Sequence, residues 1–211
     1  MLRPEDLPPL LHSPFEKLDV EIGCGNGHFM VEYCLKNPTT LFIGVEIKKK
    51  RCLKAQRKID KRGLANARVI HGSAEEVLKI LPADSVDSFH LYFPDPWPKA
   101  RHRRRRFFRR GNIETLRLKL KAGGFIFFIT DYFDYYFHTK VLFLLHDGIS
   151  LSDCPPSTAV HHSVFAQRFA DRSKEVRSLT VRKTAPSERK TAPSERKTAP
   201  SERKTVRATR T

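Results

Sequence analysis

At 211 residues the chain fits one α/β domain of ordinary size and requires no second. Its formal net charge of +17 points to an anionic partner, and Cys24, Cys34, Cys52 and Cys154 form no C-x-x-C pair, which argues for a reducing compartment and against a zinc site or disulfide framework. No run reaches the ~20 apolar residues a membrane span needs, and the first residues carry no uninterrupted apolar leader, so a soluble, cytoplasmic protein is the expectation.

From Leu18 onward, apolar runs of strand length alternate with helix-like segments, the mark of a mostly parallel sheet with helices on both faces. Strands are expected over Leu18–Ile22, Leu41–Ile47, Arg68–His71, Val86–Phe93 and Phe125–Thr130. Several are apolar throughout, as strands buried on both faces should be. Helices are expected near His28–Lys36, Lys48–Arg62, Ala74–Ile80 and Gly111–Lys121, and the aromatic-rich Tyr132–His146 ends before Gly148, a plausible helix-terminating glycine. Ile149–Leu151 and Glu175–Val181 read as two late strands on either side of the weakly patterned Cys154–Phe169. The domain is therefore expected over 18–183, behind a short N-terminal arm, 1–17. In the tail, 184–211, T-A-P-S-E-R-K occurs three times. A proline in every unit and the lack of an apolar seam reject a coiled coil. High charge and low hydrophobicity predict disorder instead.

The first strand runs into V-E-I-G-C-G-N-G-H-F, where Gly23, Gly25 and Gly27 permit a tight turn and let a ligand approach the backbone at a helix N-terminus. The pattern E-x-G-x-G-x-G puts an acidic residue, Glu21, ahead of the glycines and supplies no phosphate-gripping cation. A carboxylate there repels a pyrophosphate and attracts a sulfonium or an amino group, which favours S-adenosylmethionine over NAD. A nucleotide at the carboxyl edge of such a sheet also expects an acid on the next strand for ribose hydroxyls. Glu46, closing L-F-I-G-V-E, meets that expectation, and it equally suits a cap for the helix that follows.

The fourth strand ends in F-P-D-P-W-P-K-A-R-H-R-R-R-R-F. Two prolines hold Asp95 on a stiff turn. Directly after it come Lys99, Arg101, Arg103, Arg104, Arg105, Arg106, Arg109 and Arg110, with no acid among them. Such a run reads as a polyanion contact. Trp97 suits either base stacking or packing beneath the turn. The fifth strand ends in I-T-D and aims Asp131 at the same edge. His161 and His162 have no partners at metal-ligand spacing, so no metal is expected.

These residues, E-I-G-C-G-N-G, G-V-E, F-P-D-P-W-P-K-A-R-H-R-R-R-R and I-T-D, resemble in order and spacing the bacterial tRNA (guanine-N7)-methyltransferase family of the TrmB type, over about Leu18 to Lys183. The resemblance implies a Rossmann-like class I S-adenosylmethionine-dependent methyltransferase fold. It implies methyl transfer to N7 of a variable-loop guanine of tRNA, at the position conventionally numbered 46. It also implies that Glu21, Glu46 and Asp95 contact the cofactor or shape its pocket, with Asp95 catalytic. Lys99 and Asp131 would contact the substrate, and Arg101 and Arg103 to Arg106 would lie on tRNA. The chain departs from the family pattern in three places. Ser73 stands where an Asp or Asn would hold the adenine, and Ser163 to Ala166 replace a T-x-x-E substrate motif, so that its glutamate is missing. The arm before the first strand is short for the family. A cofactor- and tRNA-binding protein with reduced catalysis is the alternative these departures support. Oligomeric state is not legible.

Overall fold

The computed structural model describes residues 2–12, 14–157 and 175–184. Seven strands form one sheet: β1 (Lys17–Ile22), β2 (Thr40–Glu46), β3 (Ala67–His71), β4 (Val86–Tyr92), β5 (Leu120–Thr130), β6 (Ile149–Ser152) and β7 (Arg177–Lys183), in the order β3-β2-β1-β4-β5-β7-β6. The first five are parallel, and β7 runs antiparallel to both of its neighbours. Strand β2 is buried along its whole length, as its apolar sequence requires of a strand covered on both sides.

Two apolar layers sandwich the sheet. On one face α2 (His28–Lys36) and α3 (Lys49–Arg62) bury Phe29, Met30, Cys34, Cys52, Ala55 and Ile59 against Phe42, Val69 and Phe127. The i, i+3, i+7 spacing of Cys52, Ala55 and Ile59 makes this the only buried face of α3. On the other face α1 (Leu7–Leu10), α4 (Ala74–Ile80), α5 (Arg110–Lys119) and α6 (Phe133–Leu144) enclose Leu7, Val77, Leu78, Ile113, Leu116, Tyr135 and Phe143.

Two elements depart from expectation. Helix α5 stops at Lys119 and β5 begins at Leu120, five residues ahead of the expected start. Leu120 pairs with Val86, and the ladder resumes only at Phe125 with Ser88. The extra residues form a bulge through Gly123, at φ +77°, and Gly124, whose hydrogen faces Asp87 O where a Cβ would lie 2.8 Å away. The short N-terminal arm is docked on the sheet. Leu2 bridges Ile70, its carbonyl accepts from His71 N at 2.9 Å, and Leu7 is fully buried. The repeat tail beyond Thr184, Ser163, Ala166 and the His161–His162 pair lie outside the described residues. Among the described residues no helix is long and apolar enough to cross a membrane, and no cluster of metal-ligating side chains occurs.

Candidate active site

Parallel strands bring the turns after β1, β2, β3, β4 and β5 to one carboxyl edge. After β1, Gly23, Gly25 and Gly27 have φ of +80°, +57° and +71°, so all three occupy left-handed backbone that residues with a Cβ adopt only with strain. Gly27 is constrained twice, because a Cβ there would also meet Ala55 Cβ of α3 at 2.8 Å. Glu46 holds this turn in place. Its Oε2 accepts from Gly25 N at 3.1 Å and its Oε1 accepts from Lys48 N at 2.8 Å. One carboxylate thus ties the glycine turn to the backbone entering α3, although the N-cap residue Lys48 supplies no side-chain cap of its own.

Behind the turn Glu21 is buried, and its Oε2 has no hydrogen-bond partner. Burial, aided by the charge of nearby Glu46, raises its carboxyl to a pKa of about 8. A buried polar network that the sequence did not flag backs the same strands. Tyr33 donates to Asp19 Oδ2 at 2.7 Å, His90 Nε2 stands 3.3 Å from the same oxygen, and His90 Nδ1 lies 2.9 Å from Tyr92 Oη. After β3, Ser73 is the N-cap of α4. Its Oγ accepts from Glu76 N at 3.2 Å, while the Glu76 carboxylate accepts from Ser73 N at 2.7 Å.

The turn after β4 leaves Asp95 exposed at the edge. Phe93 and Trp97, neither of them glycine, bracket it at φ +50° and +43°. Backbone of this kind is held only where the surroundings over-determine it, and it concentrates at functional turns. Phe93 N donates to Ile129 O at 2.8 Å, which ties the turn to the end of β5. The 3₁₀ turn Ala100–Arg105 then presents Arg101, Arg103, Arg104 and Arg105 to solvent. Arg105 lays its guanidinium 4.8 Å from the centre of the half-buried Trp97 ring, so the indole packs within the turn.

A sequence-family model described as a putative methyltransferase matches residues 16–168. The chain is 32% identical to the tRNA (guanine-N(7)-)-methyltransferase of Nitrosococcus oceani over 87% of this chain and 78% of that protein. It is 36% identical to the protein of the same name from Nitrosomonas eutropha, over 86% of this chain and 83% of that one. The chain belongs to this methyltransferase family. Its fold is that of a 16S rRNA (adenine(1408)-N(1))-methyltransferase from Catenulisporales acidiphilia, solved with its cosubstrate SAM, at a TM-score of 0.59 and 18% identity over 88% of this chain and 93% of that chain.

Within this methyltransferase the expected site residues separate into two groups. Glu21, Glu46, the three glycines, Ser73, Asp95, Lys99 and Asp131 all lie in or beside the turns of the carboxyl edge. Arg106 does not belong with its neighbours, and its expected contact with tRNA is corrected. It is only 1% exposed, its Nε donates to Pro96 O at 2.9 Å, its Nη2 donates to Asp134 Oδ2 at 2.6 Å, and its guanidinium lies 4.9 Å from the centre of the Tyr135 ring. Arg106 is the strut that holds the Asp95 turn against α6. Asp134, which also accepts from Arg103 Nη2 at 3.0 Å, escaped the sequence reading. The available signal was an acid in the first turn of α6, two residues beyond the I-T-D-Y segment.

Proposed function

We propose that the protein transfers a methyl group from S-adenosylmethionine to N7 of the variable-loop guanine of tRNA. The observation that carries the reading is the meeting, at one sheet edge, of an acidic glycine turn with a rigid Asp95 turn that continues into exposed arginines. The names of the relatives support it, since they match this chain over most of both lengths. A tRNA substrate also fits a cytoplasmic protein.

The pocket residues suit this cofactor. The glycine turn offers close backbone approach, and Glu21, which burial keeps largely protonated, has a buried oxygen without a hydrogen-bond donor and would ionise opposite an ammonium or sulfonium. Glu21, Glu46 and Ser73 would hold the cofactor, which supplies an electrophilic methyl group on a sulfonium. Guanine N7 already presents an in-plane lone pair without a proton, so the chain needs no general base. What it must do is orient the base and exclude water, for which alignment is worth ~7–11 kcal/mol in favourable cases. Asp95, held stiffly between two prolines, and Asp131 would accept from guanine N1–H and the exocyclic amine. Positive charge then grows on the purine, and a fixed carboxylate stabilises it, the cationic counterpart of an oxyanion hole. Lys99 and Ser163 would contact the substrate. Arg101, Arg103, Arg104 and Arg105 would take phosphates.

The Asp95→Ala variant tests this division of labour. Methylation is expected to be abolished while the Kd for tRNA stays within about twofold, because the affinity comes from phosphate contacts. Comparable losses in both measurements contradict the assignment.

A further inference from the structure

Helix α3 carries a second concentration of positive charge that the site does not use. Its Cys52, Ala55 and Ile59 point into the sheet. At 3.6 residues per turn, Lys50, Lys54, Arg57 and Lys61 form one row on the opposite side, and all four are exposed. Among the described residues no carboxylate lies within salt-bridge distance of any of them. The only acid of the helix, Asp60, accepts from Gln56 at 2.8 Å. The row is about 16 Å long.

Surface helices ordinarily relieve such a face with acids at i+3 or i+4. Here Asp60, three residues after Arg57, is the one acid so placed, and the other spacings pair like charges: Lys50 with Lys54, Lys54 with Arg57, Lys54 with Lys58, Arg57 with Lys61 and Lys58 with Arg62. Each such pair destabilises a helix by ~0.2–0.5 kcal/mol. The Lys58 ammonium registers the crowding, since burial and then the charge of Lys54 hold its pKa below the usual lysine value. The chain's own tail offers no relief, because residues 184–211 contain eight cations against three glutamates. A helix that keeps this repulsion gains from a polyanion laid along it.

Topology relates the row to the pocket. Strand β1 lies between β2 and β4, so the glycine turn stands between the start of α3, which follows β2 and then runs back along the sheet, and the arginine turn, which follows β4. Lys58 Nζ donates to Asn26 O of the glycine turn at 2.8 Å, which fixes α3 against the pocket. We infer that the Lys50–Lys54–Arg57–Lys61 row of α3 is a second RNA-binding surface, holding phosphates of the same tRNA that the arginine turn holds on the far side of the pocket. This surface rests on the tRNA reading given above.

The test uses the full chain and an unmodified tRNA. Changing all four residues to Gln spares Lys58 and its bond to the glycine turn. In this variant the slope of log Kd for tRNA against log salt is expected to become shallower by about 0.7–0.9 for each phosphate no longer neutralised, and binding at low salt to weaken about tenfold or more. The Kd for S-adenosylmethionine stays unchanged. An unaltered slope and affinity for tRNA overturns the inference. Acetylation footprinting of the unmutated protein needs no variant: tRNA should protect Lys50, Lys54 and Lys61, and full reactivity in saturating tRNA overturns the surface. Methylation of the same tRNA, read in parallel, separates the two readings. Methylation with an unprotected row defeats the surface alone, whereas absence of both methylation and protection defeats the surface together with the substrate reading.

Discussion

Arg106 and Arg104 stand two positions apart in a run of four arginines, yet they do different work. Arg106 is enclosed between Pro96, Asp134 and Tyr135, while Arg104 is open to solvent. Arg106→Ala is expected to cost about 2–3 kcal/mol, the loss of hydrogen bonds to a charged group, and to lower the melting temperature. Arg104→Ala leaves the melting temperature unchanged and makes the salt slope of tRNA binding shallower by about 0.7–0.9. The sequence could not sort the two, because a partner such as Asp134 becomes visible only once α6 is packed against the turn. Glu21 carries a second prediction. Its folded pKa of about 8 lies above the ordinary value of 4.5, so the folded state holds its proton more tightly than the unfolded chain does. Its contribution to stability is therefore fully present below about pH 4.5 and is lost as pH rises through about 8. Melting curves of the cofactor-free protein should show this decline, and Glu21→Gln should flatten it across that window. An equal decline in both proteins contradicts the buried-acid account.

At the scale of elements, what was legible followed from local rules. Three glycines in E-x-G-x-G-x-G permitted a tight turn, and in the fold all three take left-handed backbone. The alternation of apolar runs placed the five parallel strands to within a few residues. What was not legible depended on contacts distant in sequence. The early start of β5 requires the bulge opposite Asp87, and the docking of the N-terminal arm requires the outer edge of β3, the terminal strand of the sheet. Ser73 belongs to both categories. As a departure from Asp or Asn it suggested weakened function, yet in the fold it completes a capping box with Glu76, a role that all three residue types fill. Ser73→Ala should cost about 1 kcal/mol through loss of the cap, whereas Ser73→Asp should leave stability nearly unchanged. Equal destabilisation by both, measured by denaturant midpoints, would show that the site is sensitive to shape rather than to capping.

At the scale of the molecule, the basicity is regional, and each described region has a place. The arginine turn and the start of α3 flank the carboxyl edge, with the acidic glycine turn between them. Positive charge therefore surrounds a pocket lined with acidic side chains, an arrangement that draws in a polyanion while reserving the centre for a cationic cofactor. The central claim is that this pocket delivers a methyl group to one guanine N7. Its most direct test incubates the full chain with methyl-labelled S-adenosylmethionine and unmodified tRNA, then cleaves the RNA chemically at 7-methylguanine. The account predicts label in the tRNA and cleavage at a single variable-loop guanine. Cleavage elsewhere, or tRNA that binds but carries no label, would contradict it.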